Sequence, residues 1–506
     1  MRSMKLSPSA AAAIALTLSL TACGHTPSSL RVASAAALSS QATRTYLVVY
    51  RGNEVALDAI TRAGGTLVAR YDAIGVAVAR AADPAFASAV RRDARVQGAS
   101  GTADFAVQLQ KPEVEAAPTT PVASGDPLSV LQGDMRQIRV PEAQAVNSGS
   151  RAVLVGDLDT GLDYTHPDLA ANVDFSSSAS CVGGSPDQTP AAWMDDDGHG
   201  THTAGTIAAA KNGIGITGVA PNVRIAGIKV GDANGFFYPE AVVCGFMWAA
   251  EKGMAVTNNS YFADPWLFNC RNDAEQRAIW EAERRAIRYA IGKGVTVVAS
   301  AGNENMDLSR QNVDTISPDN TTAMTREVTN ACAQVPAEVP GVISVSADNR
   351  QQRKAYYSNY GAGVIDVAAP GGDRFVPGPE GTIVSGLILS TWPASHRNNL
   401  LPSRIVQDCQ TAPCATYGYL QGTSMAGPHV TGVVALMISQ FGPMSPGAVK
   451  ARLMQTAKPL DCPARSYNPL PQFLPGVDFT ATCLGGMGHN GFYGAGEVDA
   501  LAAITK

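Results

Sequence analysis

Apolar positions between residues 44 and 110 switch between two periods. "TYLVVY" (45–50), "GTLVARY" (65–71) and "GVAVAR" (75–80) are short runs rich in β-branched and aromatic residues, and each predicts a strand. "EVALDAITRAGG" (54–65) has helical spacing closed by glycines. "DPAFASAVRRDARV" (83–96) predicts a second helix, with Asp83 as N-cap and Pro84 in the first helical position. "ADFAVQLQ" (103–110) predicts the closing strand. The order is β-α-β-β-α-β, the ferredoxin-like α+β arrangement. A module of about 70 residues is marginal as an independent domain.

Residues 111–125, "KPEVEAAPTTPVASG", break this pattern. Such a composition predicts an extended, exposed and readily cleaved linker. From Asp126 onward strand-like apolar runs alternate with helical ones. "AVLVGDLDTG" (152–161), "VRIAGIKV" (223–230), "GMAVTNNS" (253–260) and "VTVVASAGNEN" (295–305) predict strands and the turns that end them. "YPEAVVCGFMWAAEKG" (238–253) and "DAEQRAIWEAERRAIRYAIGKG" (273–294) predict helices between them. Apolar strands separated by helices indicate a mostly parallel sheet flanked by helices, a three-layer α/β domain over 126–506. In such folds sites gather at the carboxyl ends of the strands.

The first 43 residues differ in character. Arg2 and Lys5 precede "AAAAIALTLSLTAC" (10–23), an apolar run too short to span a bilayer as a mature helix. It reads as an export signal over 1–22. Its end, "LSLTACG", resembles a bacterial lipobox, which implies cleavage before Cys23 and lipidation of its sulfur. The other reading is an ordinary signal peptide cut nearby. Residues 23–43 are small and polar and read as a tether. Eight cysteines remain, at 181, 244, 270, 332, 409, 414, 462 and 483, and an even number in an exported chain predicts disulfides. Cys409 with Cys414, and Cys462 with Cys483, are attractive pairs because loop chemistry lies between them. No C-x-x-C pair is present, which disfavours zinc. A net charge of −5 offers no electrostatic case for nucleic acid or an anionic membrane.

Three stretches carry the chemistry. In "VLVGDLDTGLDYTHPDL", Asp159 ends a strand and precedes a sharp Thr160-Gly161 turn. In "DDDGHGTHTAGT" (195–206), His199 sits between two glycines and His202 follows three residues on. In "YLQGTSMAGPHVTGVVALM", Ser424 follows Gly422-Thr423 and opens a helical pattern. Taken singly, Ser424 is an N-cap and the two histidines a metal pair or packing residues. Together they can be a nucleophile, a base and an orienting carboxylate.

The order Asp, His, Ser is that of subtilisin. From about Asp126 to the end the chain resembles a subtilisin-like serine peptidase, a subtilase, on the blocks "DLDTGLDYTHPDL", "HGTHTAGTIAA" and "GTSMAGPHVTGVVAL". The resemblance implies a serine endopeptidase of subtilisin-like fold working through an acyl-enzyme. Ser424 would be the nucleophile, His199 the general base, and Asp159 the holder of the imidazole tautomer. Asn303, in "VVASAGNEN", would donate to the oxyanion beside the Ser424 N–H. Asp157 lies on the same strand face as Asp159, and Asp195, Asp196 and Asp197 read as a solvated loop. His166, His202 and His429 read as structural. The resemblance also implies a structural calcium held by Asp126, Asp168, Asn212 and the carbonyls of Ala210, Ile214 and Ile216, a hard oxygen set. It makes 44–110 an inhibitory propeptide, cut off in the 111–125 linker of an autoprocessed zymogen. Substrates would be proteins or peptides.

The likeness is weakest at substrate recognition. Many subtilases carry Ser-Leu-Gly-Gly on the strand that pairs with substrate; here Ser260 is kept and Tyr261, Phe262 and Ala263 replace the rest. That bulk narrows the pocket or is taken up by a shifted loop. Insertions near 304–331, 371–418 and 463–490 add further rims. Two other functions fit parts of the pattern: a catalytically silent exported binding or scaffold protein of the same fold, and a metallohydrolase using His199 and His202. The second lacks H-E-x-x-H and a third ligand.

Overall fold

The computed structural model describes residues 43–102, 126–376, 386–410, 412–469, 476 and 478–506. The export signal, the tether with Cys23 and the 111–125 linker lie outside these.

The N-terminal module has strands β1 (Arg44–Tyr50), β2 (Thr66–Tyr71), β3 (Val76–Ala81) and β4 (Val96–Gly101), with helices α1 (Leu57–Arg62) and α2 (Phe86–Val90). The sheet order is β2-β3-β1-β4, with every pair antiparallel. Alternation sorts the side chains by face. Tyr46, Val48 and Tyr50 pack under α1 and α2, whereas Leu47, Val49, Val76 and Val78 face the larger unit. Two expectations shift. The closing strand is "VQGASG", and 103–110 fall outside the described residues. Its small residues are imposed from outside: a Cβ on Gly98 would lie 3.0 Å from Ala278 Cβ on a helix of the larger unit. Packing thus overrides weak strand propensity. The second helix starts at Phe86, and Asp83 instead closes a turn by accepting from Ala85 N–H at 2.8 Å.

The larger unit is built on seven strands in the order β11-β10-β9-β8-β5-β7-β6: β5 (Leu154–Asp159), β6 (Ala179–Ser180), β7 (Arg224–Lys229), β8 (Val256–Asn259), β9 (Thr296–Ser300), β10 (Ile343–Asp348) and β11 (Val367–Pro370). All six pairings are parallel. Helices α4 (Pro239–Glu251) and α5 (Ala274–Gly292) cover one face, and α3 (His199–Ala208) and α6 (Thr423–Phe441) the other. Both faces are therefore dry, which is why the strands read as unbroken apolar runs. An antiparallel sheet of β12 (Ile388–Thr391), β13 (Ile405–Asp408) and β14 (Ala415–Leu420) packs beside α3.

Among the described residues four disulfides close loops: Cys181–Cys244, Cys270–Cys332, Cys409–Cys414 and Cys462–Cys483. The two expected pairs are among them. Cys270–Cys332 anchors the base of the 304–331 insertion, and a closure of this length stabilises by about 4 kcal/mol through the unfolded chain.

Candidate active site

Strand β5 ends at Asp159, which is fully buried. Its Oδ1 accepts from Thr160 N–H at 2.7 Å and lies 2.7 Å from His199 Nδ1. A carboxylate there keeps the imidazole proton on Nδ1 and leaves Nε2 as the acceptor. Asp157 lies one pleat back and is also buried. Burial, and then the Asp159 charge, push its carboxyl well above the usual range, while Asn258 Nδ2 (2.9 Å) and Thr203 Oγ1 (2.8 Å) donate to it.

His199 opens α3, and the glycines around it meet steric demands. Gly198 has φ +112°, and a Cβ there would lie 2.5 Å from the Trp392 ring. A Cβ on Gly200 would lie 2.1 Å from the Gly161 carbonyl. The helix start is thus seated directly on the turn after Asp159. Asp195 holds that contact together. It is 2% exposed, not solvated as the sequence suggested. Its Oδ1 accepts from Thr160 Oγ1 (2.9 Å), Asp197 N (3.1 Å) and Gly198 N (2.9 Å); its Oδ2 accepts from Thr201 N (2.9 Å) and Thr201 Oγ1 (2.6 Å). The first N–H groups of a helix need such acceptors, and one buried carboxylate supplies several. Asp196 pairs with Lys229, and Asp197 accepts from His199 N–H at 3.2 Å. The solvated-loop reading fails for Asp195, because α3 buries its own N-terminus, and holds for Asp196, which is exposed.

His202, His429 and His166 are held in buried hydrogen bonds away from the cleft. His202 Nε2 faces the Ile388 and Gly418 carbonyls at 3.2 and 3.0 Å, and burial pulls its pKa down to about 3. His429 is buried between Met425 O (2.8 Å) and Asp134 Oδ2 (2.9 Å). His166 Nε2 faces Thr416 O at 2.8 Å, and its Nδ1 accepts from Asp168 N at 3.2 Å.

Ser424 lies in the first turn of α6. Its hydroxyl donates to Ser260 O at 3.1 Å, and Ser260 Oγ donates back to Ser424 O at 2.9 Å. That carbonyl is available because Pro428, four residues on, has no N–H to give it. Asn303 follows β9. Its Oδ1 accepts from Thr423 N (2.8 Å) and Thr423 Oγ1 (2.9 Å), which turns the amide NH₂ into the cleft. His199, Ser424, Asn303, Ser260, Tyr261 and Phe262 all border one cavity of about 510 Å³. Tyr261 does not fill it: the ring stacks on Phe237 at 4.5 Å and its hydroxyl donates to Asn259 Oδ1 at 3.1 Å. Phe262 forms part of the cavity wall.

A family model of the subtilase peptidases matches residues 150–496. The chain belongs to the subtilase family. It is a serine-type endopeptidase acting on protein or peptide substrates. The chain is 31% identical to subtilisin DY of Bacillus licheniformis over 320 residues, 63% of this chain and 89% of that one. It is 31% identical to fervidolysin of Fervidobacterium pennivorans over 344 residues, 66% of this chain and 41% of that one. Among solved structures, the epidermin leader peptide processing serine protease of Staphylococcus aureus superposes with a TM-score of 0.63, at 21% identity, covering 91% of this chain and 98% of that one.

The residues expected to hold calcium come together in this subtilase. Asp168 is fully buried; its Oδ2 accepts from Ile216 N and Tyr417 OH, both at 3.0 Å, while no donor reaches Oδ1. Burial pushes its pKa up to about 8. Asp126 Oδ1 accepts from Asn212 N (3.2 Å) and Gly213 N (2.6 Å). The 210–217 loop wraps both acids, and Ala210 N donates to Asp168 O at 2.8 Å. A buried carboxylate oxygen without a donor, beside a second acid, an amide and loop carbonyls, suits a hard cation. Asp408, from the 371–418 insertion, accepts from Gly215 N at 2.8 Å and was not visible from motif spacing. Among the described residues no three His, Cys, Asp or Glu converge as a metal centre.

Proposed function

We propose that this subtilase is an exported zymogen whose Ser424 attacks the substrate carbonyl, with His199 as base and then acid. The observation that carries this reading is the 2.7 Å contact of His199 Nδ1 with Asp159, in a cleft that also holds Ser424 and Asn303. Substrate takes the Ser260 carbonyl with a backbone N–H, and the Ser424 hydroxyl turns to His199 Nε2. His199 accepts its proton, and Asp159 stabilises the imidazolium. The oxyanion that forms receives Asn303 Nδ2 and the Ser424 N–H. His199 then hands its proton to the leaving amine, and water repeats the sequence on the acyl-enzyme.

Asp126, Asp168, Asn212 and the Ala210, Ile214 and Ile216 carbonyls are proposed to hold a structural calcium, which ties the N-terminus of the peptidase unit to its loops. The 44–110 segment is proposed as the inhibitory propeptide. Its sheet packs on α4 and α5, and Arg285 of α5 donates to Tyr50 O (2.9 Å), Ile74 O (3.0 Å) and Gln97 Oε1 (2.7 Å). Cleavage in the linker would free the enzyme from a precursor lipidated at Cys23. Intact mass and N-terminal sequencing of wild type beside Ser424→Ala test the whole scheme. The variant should accumulate uncut precursor. A variant that matures normally in a protease-free host overturns autoprocessing, and a lipidated catalytic unit overturns release.

A further inference from the structure

Two walls form the cleft next to Ser424. One is Ser260–Phe262 at the end of β8; the other is Gly302–Glu304 at the end of β9. Phe262 and Ile316 make this space apolar enough for a hydrocarbon stem. Two buried acids border the same cleft. Asp264, two residues past Phe262, is 3% exposed, and Asp319, from the 304–331 insertion, is 6% exposed. Both border the cleft, and their carboxyl groups lie within hydrogen-bonding reach of each other. Phe237 N–H donates to Asp264 Oδ2, but no donor reaches the buried Asp319 Oδ1. Gln334 also borders the cleft at 1% exposure, with its buried Oε1 undonated. Its Nε2 would meet a Cβ on Gly302 at 2.8 Å, which places it beneath the wall that carries Asn303.

Asp319 Oδ1 and Gln334 Oε1 are thus buried acceptors without a donor. No Lys or Arg is among the described residues that line the cleft. Burial, followed by the Asp319 partner, pushes the Asp264 carboxyl well above its usual range, so the empty pocket disfavours two charges. A cation would relieve that. A flexible ammonium or guanidinium on an apolar stem matches both the apolar walls and the acids.

We propose that this pocket takes the lysine or arginine side chain of the residue whose carbonyl is attacked, with Asp264 and Asp319 receiving its charge and Gln334 adding a hydrogen bond. The inference rests on Ser424 being the nucleophile. A neutral side chain of the same length would leave the acceptors buried and unmatched.

The test uses the full chain, expressed and left to mature, with active sites counted by a serine-directed phosphonate. Matched peptide amides carry lysine, arginine, norleucine, citrulline or phenylalanine before the scissile bond. Lysine and arginine should exceed norleucine and citrulline in kcat/KM by about 100-fold. Asp264→Asn, Asp319→Asn and the double variant, scored per labelled site, should bring that ratio down to about unity in the double variant. A wild type that prefers norleucine or phenylalanine overturns the proposal without any variant. Labelled variants that keep the wild-type ratio overturn the role of the two aspartates. Competitive loss of the preference on adding calcium assigns the pair to a metal and overturns it as well. A wild type that the phosphonate does not label removes the nucleophile and the inference together, whereas labelling without preference removes the inference alone.

Discussion

Replacing Asp195 by alanine removes an acceptor from five donors at once, three of them backbone N–H groups in the turn that delivers His199. Each bond to a charged acceptor contributes about 1 kcal/mol or more, and a buried donor left unmet costs about 1–3 kcal/mol. Some donors will recruit water into the vacated space, so the loss should come to about 4 kcal/mol. At about 2 cal/mol/K of unfolding entropy per residue, a unit of this size loses about 5 °C in melting temperature. Melting is read in a Ser424→Ala background, which prevents self-digestion. Activity should fall more than stability implies, because Thr160 bridges Asp195 to the Gly200 N–H at 2.9 Å and so links the Asp159 turn to the His199 helix. A displacement of about 1 Å at a general base costs about 100-fold in kcat. KM should change little, since Asp195 is not part of the cleft lining. Asp195→Asn should fall between, as an amide keeps one acceptor oxygen and turns two donors toward Thr201. An Asp195→Ala enzyme with wild-type kcat and melting temperature would refute the assignment of this acid as the residue that positions His199.

Four further outcomes follow from the same geometry. Asn303→Leu should lower kcat by about 100- to 1000-fold with KM nearly constant, the range seen when subtilisin loses its side-chain oxyanion donor; steady-state kinetics on one peptide amide decide it. Arg285→Ala removes three hydrogen bonds to the N-terminal module, about 2–3 kcal/mol, so the proposed inhibition should relax about 50-fold more readily and activity appear earlier in a time course of the proposed maturation. Chelation should lower the melting temperature of wild type, by about 4 kcal/mol equivalent if calcium was present at 1000 times its Kd, and an Asp168→Ala protein should show no such response to added calcium. Glu283 is fully buried on α5 with both oxygens unpartnered, and burial, then Glu240, raises its pKa well above normal. A raised folded-state pKa means the fold holds the proton more tightly, so this group's contribution worsens as pH climbs from its unfolded value near 4.5 toward the folded one, by about 1.4 kcal/mol per pH unit. Glu283→Gln should therefore raise the melting temperature more at pH 8 than at pH 5, and an equal change at both would contradict that burial.

Legibility from sequence followed the range of the forces involved. The parallel sheet was readable because burial on both faces leaves unbroken apolar runs, as at "VTVVAS". Asp159, His199, Asn303 and Ser424 were singled out by the resemblance of their motifs to those of the subtilases; taken singly, Ser424 read as an N-cap. Strand β4 was misplaced because its composition answers to Ala278, some 180 residues away, and not to its own propensity. The acidity of Asp195 looked like solvation because hydrogen bonding to a buried helix start leaves no periodic trace. Asp319 and Asp408 come from insertions, and only the fold brings them to the cleft and to the 210–217 loop.

The paired hydrogen bonds between Ser260 and Ser424 give the enzyme an idle position. With Pro428 withholding its N–H, the nucleophile's own carbonyl is tied to the strand that receives substrate, and its hydroxyl is parked on that strand's carbonyl. A peptide that docks there claims the same carbonyl and displaces the hydroxyl toward the base. On the proposed mechanism, Ser424 is thus armed by the molecule it will cut.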